Sequence, residues 1–219
     1  NPKHVGLLPR MWSEQNAENY IKYFDPLEFK IKGEYQSNED LLNAVNQFRD
    51  GYTKGDIGAG QYIKFLREFS DYIEVEPPTV WQNVKYMFQF QFGYMYWRYF
   101  MWNFVGKQDD LQGKYDDHGN WLSGVNFVDN MRLGSQENLP SDILDNKGRN
   151  TYFFLPLILG IVGLLFQIKK DPKQFWALLV FFLFTGIAIQ FYTNPGIFQP
   201  RERDYSLVGS FYVFSLWIG

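Results

Sequence analysis

Two uncharged apolar runs constrain this chain more than any other feature. Residues 152–168, YFFLPLILGIVGLLFQI, and 175–192, FWALLVFFLFTGIAIQFY, each hold about 17–18 residues without a formal charge. That is the length a helix needs to cross the hydrocarbon of a bilayer. The connector KKDPK, 169–173, is too short for anything but a tight hairpin. A third apolar run, 207–219, begins another such helix and stops with the chain at Gly219. The expected fold is an all-α membrane protein. It has two complete transmembrane helices (152–168 and 175–192), a truncated third (207–219), an aromatic interfacial helix and an extracytoplasmic, mostly helical region.

The hairpin also sets sidedness. It carries Lys169, Lys170 and Lys173 against Asp171. Lysines of short loops stay on the cytoplasmic side. Residues 106–150 and 193–206 are then extracytoplasmic. The chain begins without Met and ends inside an apolar run, which reads as a piece of a longer protein.

Four regions differ in character. Residues 1–79 carry charges of both signs and read as soluble and mainly helical. Ser13 is an expected helix N-cap, and NEDLLNAVNQFRDGYTKG an expected helix from about Glu39 to the Gly51–Gly55 region. Ile63, Leu66, Phe69 and Ile73 fall on one helical face, with the prolines of EPPT as the stop. Phe29 and Ile31 alternate with charges and read as extended. Residues 80–105 hold an aromatic run in which Arg98 is the one charge between Tyr86 and Val105. Its polar residues and aromatic bulk favour a helix in the interface, or at the membrane edge of a bundle, over a spanning one. Residues 106–150 read as an ordered extracytoplasmic loop with Trp121, Val125, Phe127, Val128 and Met131 as its anchors. Residues 151–219 hold the transmembrane helices.

Composition narrows the function. Net charge is −3 with no basic tract, so nucleic acid is not an expected partner. Absence of cysteine excludes disulfides and thiol chemistry, and two histidines are too few for a histidine-based metal centre. Asp109, Asp110, Asp116, Asp117 and Asp129 do not follow a calcium-loop pattern, so the expectation is a solvated loop with no metal. His118 reads as a loop residue. One residue in five is aromatic, and Trp and Tyr favour membrane boundaries.

The stretch RERD, 201–204, is the sharpest candidate for chemistry. Arginines on the outer side run against the positive-inside bias. Arg201 and Arg203 either reach the interface as snorkelling side chains or form an anion site, with Glu202 and Asp204 orienting their forks. Arg98 snorkels, stacks on Trp97 or Trp102, or makes another phosphate or polyprenyl contact.

The texts YMYWRYFMWNFVGKQDDLQG, GNW, DNMRLG, NKGRNTYFFLPLILGIVGL and QPRERDYSLVGSFYVFSLWIG together resemble a bacterial membrane family, domain-of-unknown-function family 2723. Its animal relatives are protein O-mannosyltransferases. The resemblance covers about residues 80–219. It implies a multi-spanning glycosyltransferase that takes sugar from a polyprenyl-phosphate-linked donor and passes it to a protein acceptor. The reaction would occur at the outer face of the bacterial inner membrane, with the catalytic acid outside this chain. Arg201, Arg203 and Arg98 would then hold the donor phosphate. Trp97 and Trp102 would anchor the interface helix beside membrane lipid. Asn120 and Trp121 would line the sugar or acceptor cleft. The resemblance implies no cofactor, and Lys107 stands where the family has arginine. The competing reading is a non-catalytic scaffold or binding subunit of an envelope complex.

Overall fold

The computed structural model describes residues 8, 11, 21, 28–113, 118–137, 139–194 and 204–219. The chain divides into two compact units, Asn1–Tyr86 and Met87–Gly219. It is mostly helical, with two short two-stranded sheets in addition to the expected helices.

In the first unit, strand β1 (Phe29–Ile31) precedes helices α1 (Glu39–Lys54) and α2 (Ala59–Glu68). Strand β2 (Ile73–Val75) and helix α3 (Val80–Tyr86) follow. Asn38 caps α1 by accepting from the Leu41 amide at 3.1 Å. Gly55, at φ 85°, ends it, a left-handed position where a Cβ would be strained. Thr79 and Gln82 exchange hydrogen bonds at the start of α3, a reciprocal N-terminal cap. Strands β1 and β2 pair antiparallel with Phe29 opposite Val75 and Ile31 opposite Ile73. Phe29, Leu41, Val45, Tyr62, Phe65, Leu66 and Ile73 form the core, with Phe48 stacked on Phe65 at 3.8 Å.

One expectation fails here for a tertiary reason. Ile73 is not on the face of α2, which stops at Glu68. The chain turns, and Lys32 Nζ donates to the Ser70 and Asp71 carbonyls. Ile73 then enters the sheet. The prolines of EPPT therefore follow a strand. Ser13 lies outside the described residues.

The second unit opens with a π-helical segment, Met87–Arg98, followed by α4 (Tyr99–Phe104) and β3 (Gly106–Lys107). After the loop come α5 (Asn126–Leu133), α6 (Ser141–Leu144), β4 (Asn150–Thr151) and α7 (Leu155–Lys170). Helix α8 (Pro172–Leu183) runs through a π turn, Phe184–Ala188, into α9 (Ile189–Thr193), and α10 (Asp204–Ile218) closes the unit. The aromatic segment packs inward. Tyr96, Tyr99, Phe100 and Phe104 join Phe175, Leu207, Val213, Phe214 and Trp217 in one core. Phe214 meets the rings of Phe100 and Phe104 edge-on at 4.7 and 4.6 Å. Tyr96 Oη and Ser210 Oγ are 2.6 Å apart, and Trp217 Nε1 donates to Gln167 Oε1 at 2.6 Å. Gly163 of α7 faces the Trp217 carbonyl of α10 so closely that a Cβ would overlap it.

The spans differ from the expectation. Among the described residues, Pro172–Thr193 is the one helix long and apolar enough to cross a membrane, with 22 residues and mean hydropathy 2.0. Only 17% of its most apolar window is buried, whereas the core helix of a water-soluble fold would be covered. Helix α7 has 16 residues and rises about 24 Å, short of a hydrocarbon core of about 30 Å. It starts late because Phe153 and Phe154 take positive φ, 52° and 59°, which keeps Tyr152–Phe154 out of the helix. Two complete spans are therefore not present among the described residues. The run at 207–219 is a shorter apolar helix. At the hairpin, Asp171 caps α8 by accepting from Gln174 N at 3.1 Å, and Pro172 takes the first helical position.

Candidate functional site

The loop after α4 is held by backbone pairing. Gly106 and Lys107 pair with Thr151 and Asn150, and Lys107 also bridges to Trp121. Gln108 N donates to Asn120 O, and Leu122 N to Gly106 O, both at 3.0 Å. This ladder fixes Asn120 and Trp121. Gly106 and Gly119, at φ 143° and 66°, make the close approaches the ladder needs.

Three buried polar side chains complete the frame. Asp109 accepts from Leu111 N and Gly119 N at 3.0 Å each, and its Oδ2 lies 3.2 Å from His118 Nδ1. Asp129 Oδ1 accepts from Ser123 N and Ser123 Oγ at 2.9 Å, and its Oδ2 from Gly124 N at 2.7 Å. Both carboxylates are 2% exposed, so the solvated-loop expectation fails for them. They stand in for loop backbone partners, as buried acceptors must. Asp116 and Asp117 lie outside the described residues. Arg98 is the third buried group. Its Nη1 donates to the Gly119 carbonyl, its Nε to Tyr94 O at 3.2 Å, and its guanidinium lies 4.4 Å from the Tyr94 ring centroid.

Around this frame opens a cleft of about 370 Å³, lined by Gln89, Tyr94, Trp97, Arg98, Asn120, Trp121 and Arg132. Trp97 is half exposed at its mouth. Arg132, from α5, lies 3.5 Å from the Trp121 ring centroid and donates to the Trp121 carbonyl. Removal of the inner guanidinium face from water lowers its pKa to about 10, against the opposing charge of Asp129. It stays cationic at neutral pH. Trp121 in turn meets the Phe154 ring edge-on at 6.0 Å, at the entrance to α7.

Four residues singled out in the sequence thus converge here: Trp97, Arg98, Asn120 and Trp121. Trp102 is not part of the lining; Lys107 Nζ lies 3.8 Å from its ring centroid. Arg98 stacks on Tyr94 instead of Trp97 or Trp102. Arg201, Glu202 and Arg203 lie outside the described residues, and Asp204 is the first residue of α10. No sequence signal marks Arg132, because its stacking partner is fixed only by the β3 bridge. Phe127 and Met131, expected as loop anchors, point outward at 77% and 75% exposure.

A larger cleft, about 670 Å³, lies in the first unit between Phe29, Phe48, Tyr52, Tyr62 and Gln82. Its cations are engaged: Arg49 donates to the Phe29 carbonyl at 2.7 Å, and Lys30 pairs with Glu76. The first cleft is also lined by Glu28 and Glu76, whereas cations and neutral side chains line the second, so the second is better suited to an anionic ligand.

Residues 1–88 match a family of unknown function, DUF8416. No curated protein and no solved structure matches the chain. The matching family is not family 2723, which overturns the resemblance read from residues 80–219 and the relationship to protein O-mannosyltransferases drawn from it.

Proposed function

We propose that the second unit is membrane-embedded and that its cleft recognises the head group of an anionic, sugar-bearing lipid, of the class of a polyprenyl-phosphate-linked sugar. The observation that carries this reading is the convergence of Arg132, Asn120 and the Trp121 indole at the entrance to an apolar helix. A guanidinium suits phosphate, an amide suits hydroxyls, and an indole offers a flat apolar face to a sugar ring. In this reading both α7 and Pro172–Thr193 traverse the inner membrane of a bacterium, and the lysines at 169–173 favour the outer side for the cleft at the start of α7. No carboxylate lines the cleft among the described residues, so recognition, not bond cleavage, is what this site is assigned.

The test is binding to protein reconstituted in vesicles, with a polyprenyl-phosphate-linked hexose, polyprenyl phosphate and an uncharged glycolipid as ligands. The sugar phosphate lipid should bind at least tenfold more tightly than the uncharged one, and Arg132→Gln should remove that preference. Equal affinities for the charged and uncharged lipids would overturn the proposal.

A further inference from the structure

Helix α5 carries two faces with opposite properties. Asp129 is buried on one, holding Ser123 and Gly124. On the other, Phe127 and Met131 stand one helical turn apart and are 77% and 75% exposed. Together they make a small exposed apolar patch in a loop otherwise rich in polar residues.

The position of α5 says what covers the patch. The Phe153 amide donates to the Ser123 carbonyl at 3.0 Å, directly before α7. A Cβ on Gly124 would touch the Phe153 ring at 2.8 Å. The start of α5 is therefore fixed to the entrance of α7. Along α7, Leu155, Ile158, Val162, Leu165 and Phe166 are all exposed and apolar. The helix is about 6 Å too short to cover a hydrocarbon core by itself. Phe127 follows three residues, and Met131 seven residues, after Gly124, which is held at the start of α7. Arg132 follows in the last turn of α5 and lines the cleft.

We infer that α5 is an interfacial foot: Phe127 and Met131 insert among the acyl chains of the leaflet at which α7 begins. The inference rests on the reading that α7 and Pro172–Thr193 lie in a bilayer and is independent of which ligand fills the cleft. Its function would be to hold the cleft rim, through Arg132 and Trp121, against the membrane surface.

The chain has no cysteine, so single thiols can be placed at will. Phe127→Cys, Met131→Cys and, on the exposed side of α8, Val180→Cys would each carry an environment-sensitive fluorophore. The full chain would be reconstituted in vesicles of phosphatidylcholine with a minor share of phosphatidylglycerol. Lipids bearing a nitroxide high on the acyl chain should quench the labels at 127 and 131, and lipids bearing it near the chain end the label at 180, each at least twofold and with little quenching by aqueous iodide. Quenching of 180 by nitroxide but of 127 and 131 by iodide would place α5 in water and overturn the inference alone. Labels at 127 and 131 shielded from both quenchers would mean a protein partner, such as a second copy, and would also overturn it. A label at 180 open to iodide would overturn the membrane reading and the inference with it.

Discussion

The guanidinium of Arg132 lies on the Trp121 indole at 3.5 Å from the ring centroid and donates to the carbonyl of that same residue. The two side chains thus act as one object: the ring orients the cation, and the cation covers one ring face. Trp121→Leu and Arg132→Gln should each reduce affinity for the charged sugar lipid about tenfold. The double variant should lose little more than either alone, because the second change removes a partner already disabled. A titration of all four proteins in vesicles measures this; strictly additive losses would separate the roles of the two residues.

Arg98 should behave differently, because it is 6% exposed and bonded to the Gly119 and Tyr94 carbonyls. Arg98→Lys keeps the charge but not the fork. It should cost about 1–3 kcal/mol by leaving buried acceptors short of donors. Faster hydrogen exchange at residues 118–121 is the expected signature.

Asp129→Asn tests the turn that starts α5. An amide has one acceptor oxygen, so its NH₂ must confront either the Ser123 donors or the Gly124 amide. The expected loss is about 1–3 kcal/mol locally. Exchange should accelerate at Ser123 and Gly124 while the middle of α7 is unchanged.

Gly163→Ala should lower the unfolding temperature of the second unit in detergent. The added methyl overlaps the Trp217 carbonyl, and α7 and α10 must separate, at about 1–3 kcal/mol. Gly33→Ala, where a Cβ meets open space, is the matched control.

Tyr62 makes the first unit sensitive to alkali. Burial raises its phenol from 10.0 to about 12, with the nearby Tyr52 adding to the shift. Below about pH 10 the phenol is neutral whether folded or unfolded, and its contribution to stability is complete. Between about 10 and 12 the unfolded chain ionises first, so about 2–3 kcal/mol is lost by the time pH passes the folded value. The urea midpoint followed by circular dichroism should fall across that window, and Tyr62→Phe should flatten the fall.

Local chemistry was legible wherever neighbours along the chain decide the outcome. The apolar period and Gly55 mark the end of α1, and the alternation at Phe29 and Ile31 marks a strand. The sign pattern of KKDPK, with Asp171 and Pro172, marks a hairpin. RERD remains where the sequence left it, a charged stretch whose partners are not described. The sequence alone thus determined a charged N-terminal region, an uncharged helix able to cross a membrane, and an aromatic segment rich in Tyr and Trp. Tertiary structure decided the rest. Ile73 leaves its helical face because α2 ends at Glu68 and Ile73 pairs with Ile31 in the sheet, with Lys32 holding the Ser70 and Asp71 carbonyls of the turn between. Helix α7 starts late because Phe153 is bonded to Ser123. Asp109 and Asp129 read as solvated in the sequence but are buried, because amides of their own loop fold back onto them. The cleft exists because a two-residue strand brings Trp121 to Arg132. Each of these depends on how the backbone folds back on itself, which no local period or composition encodes.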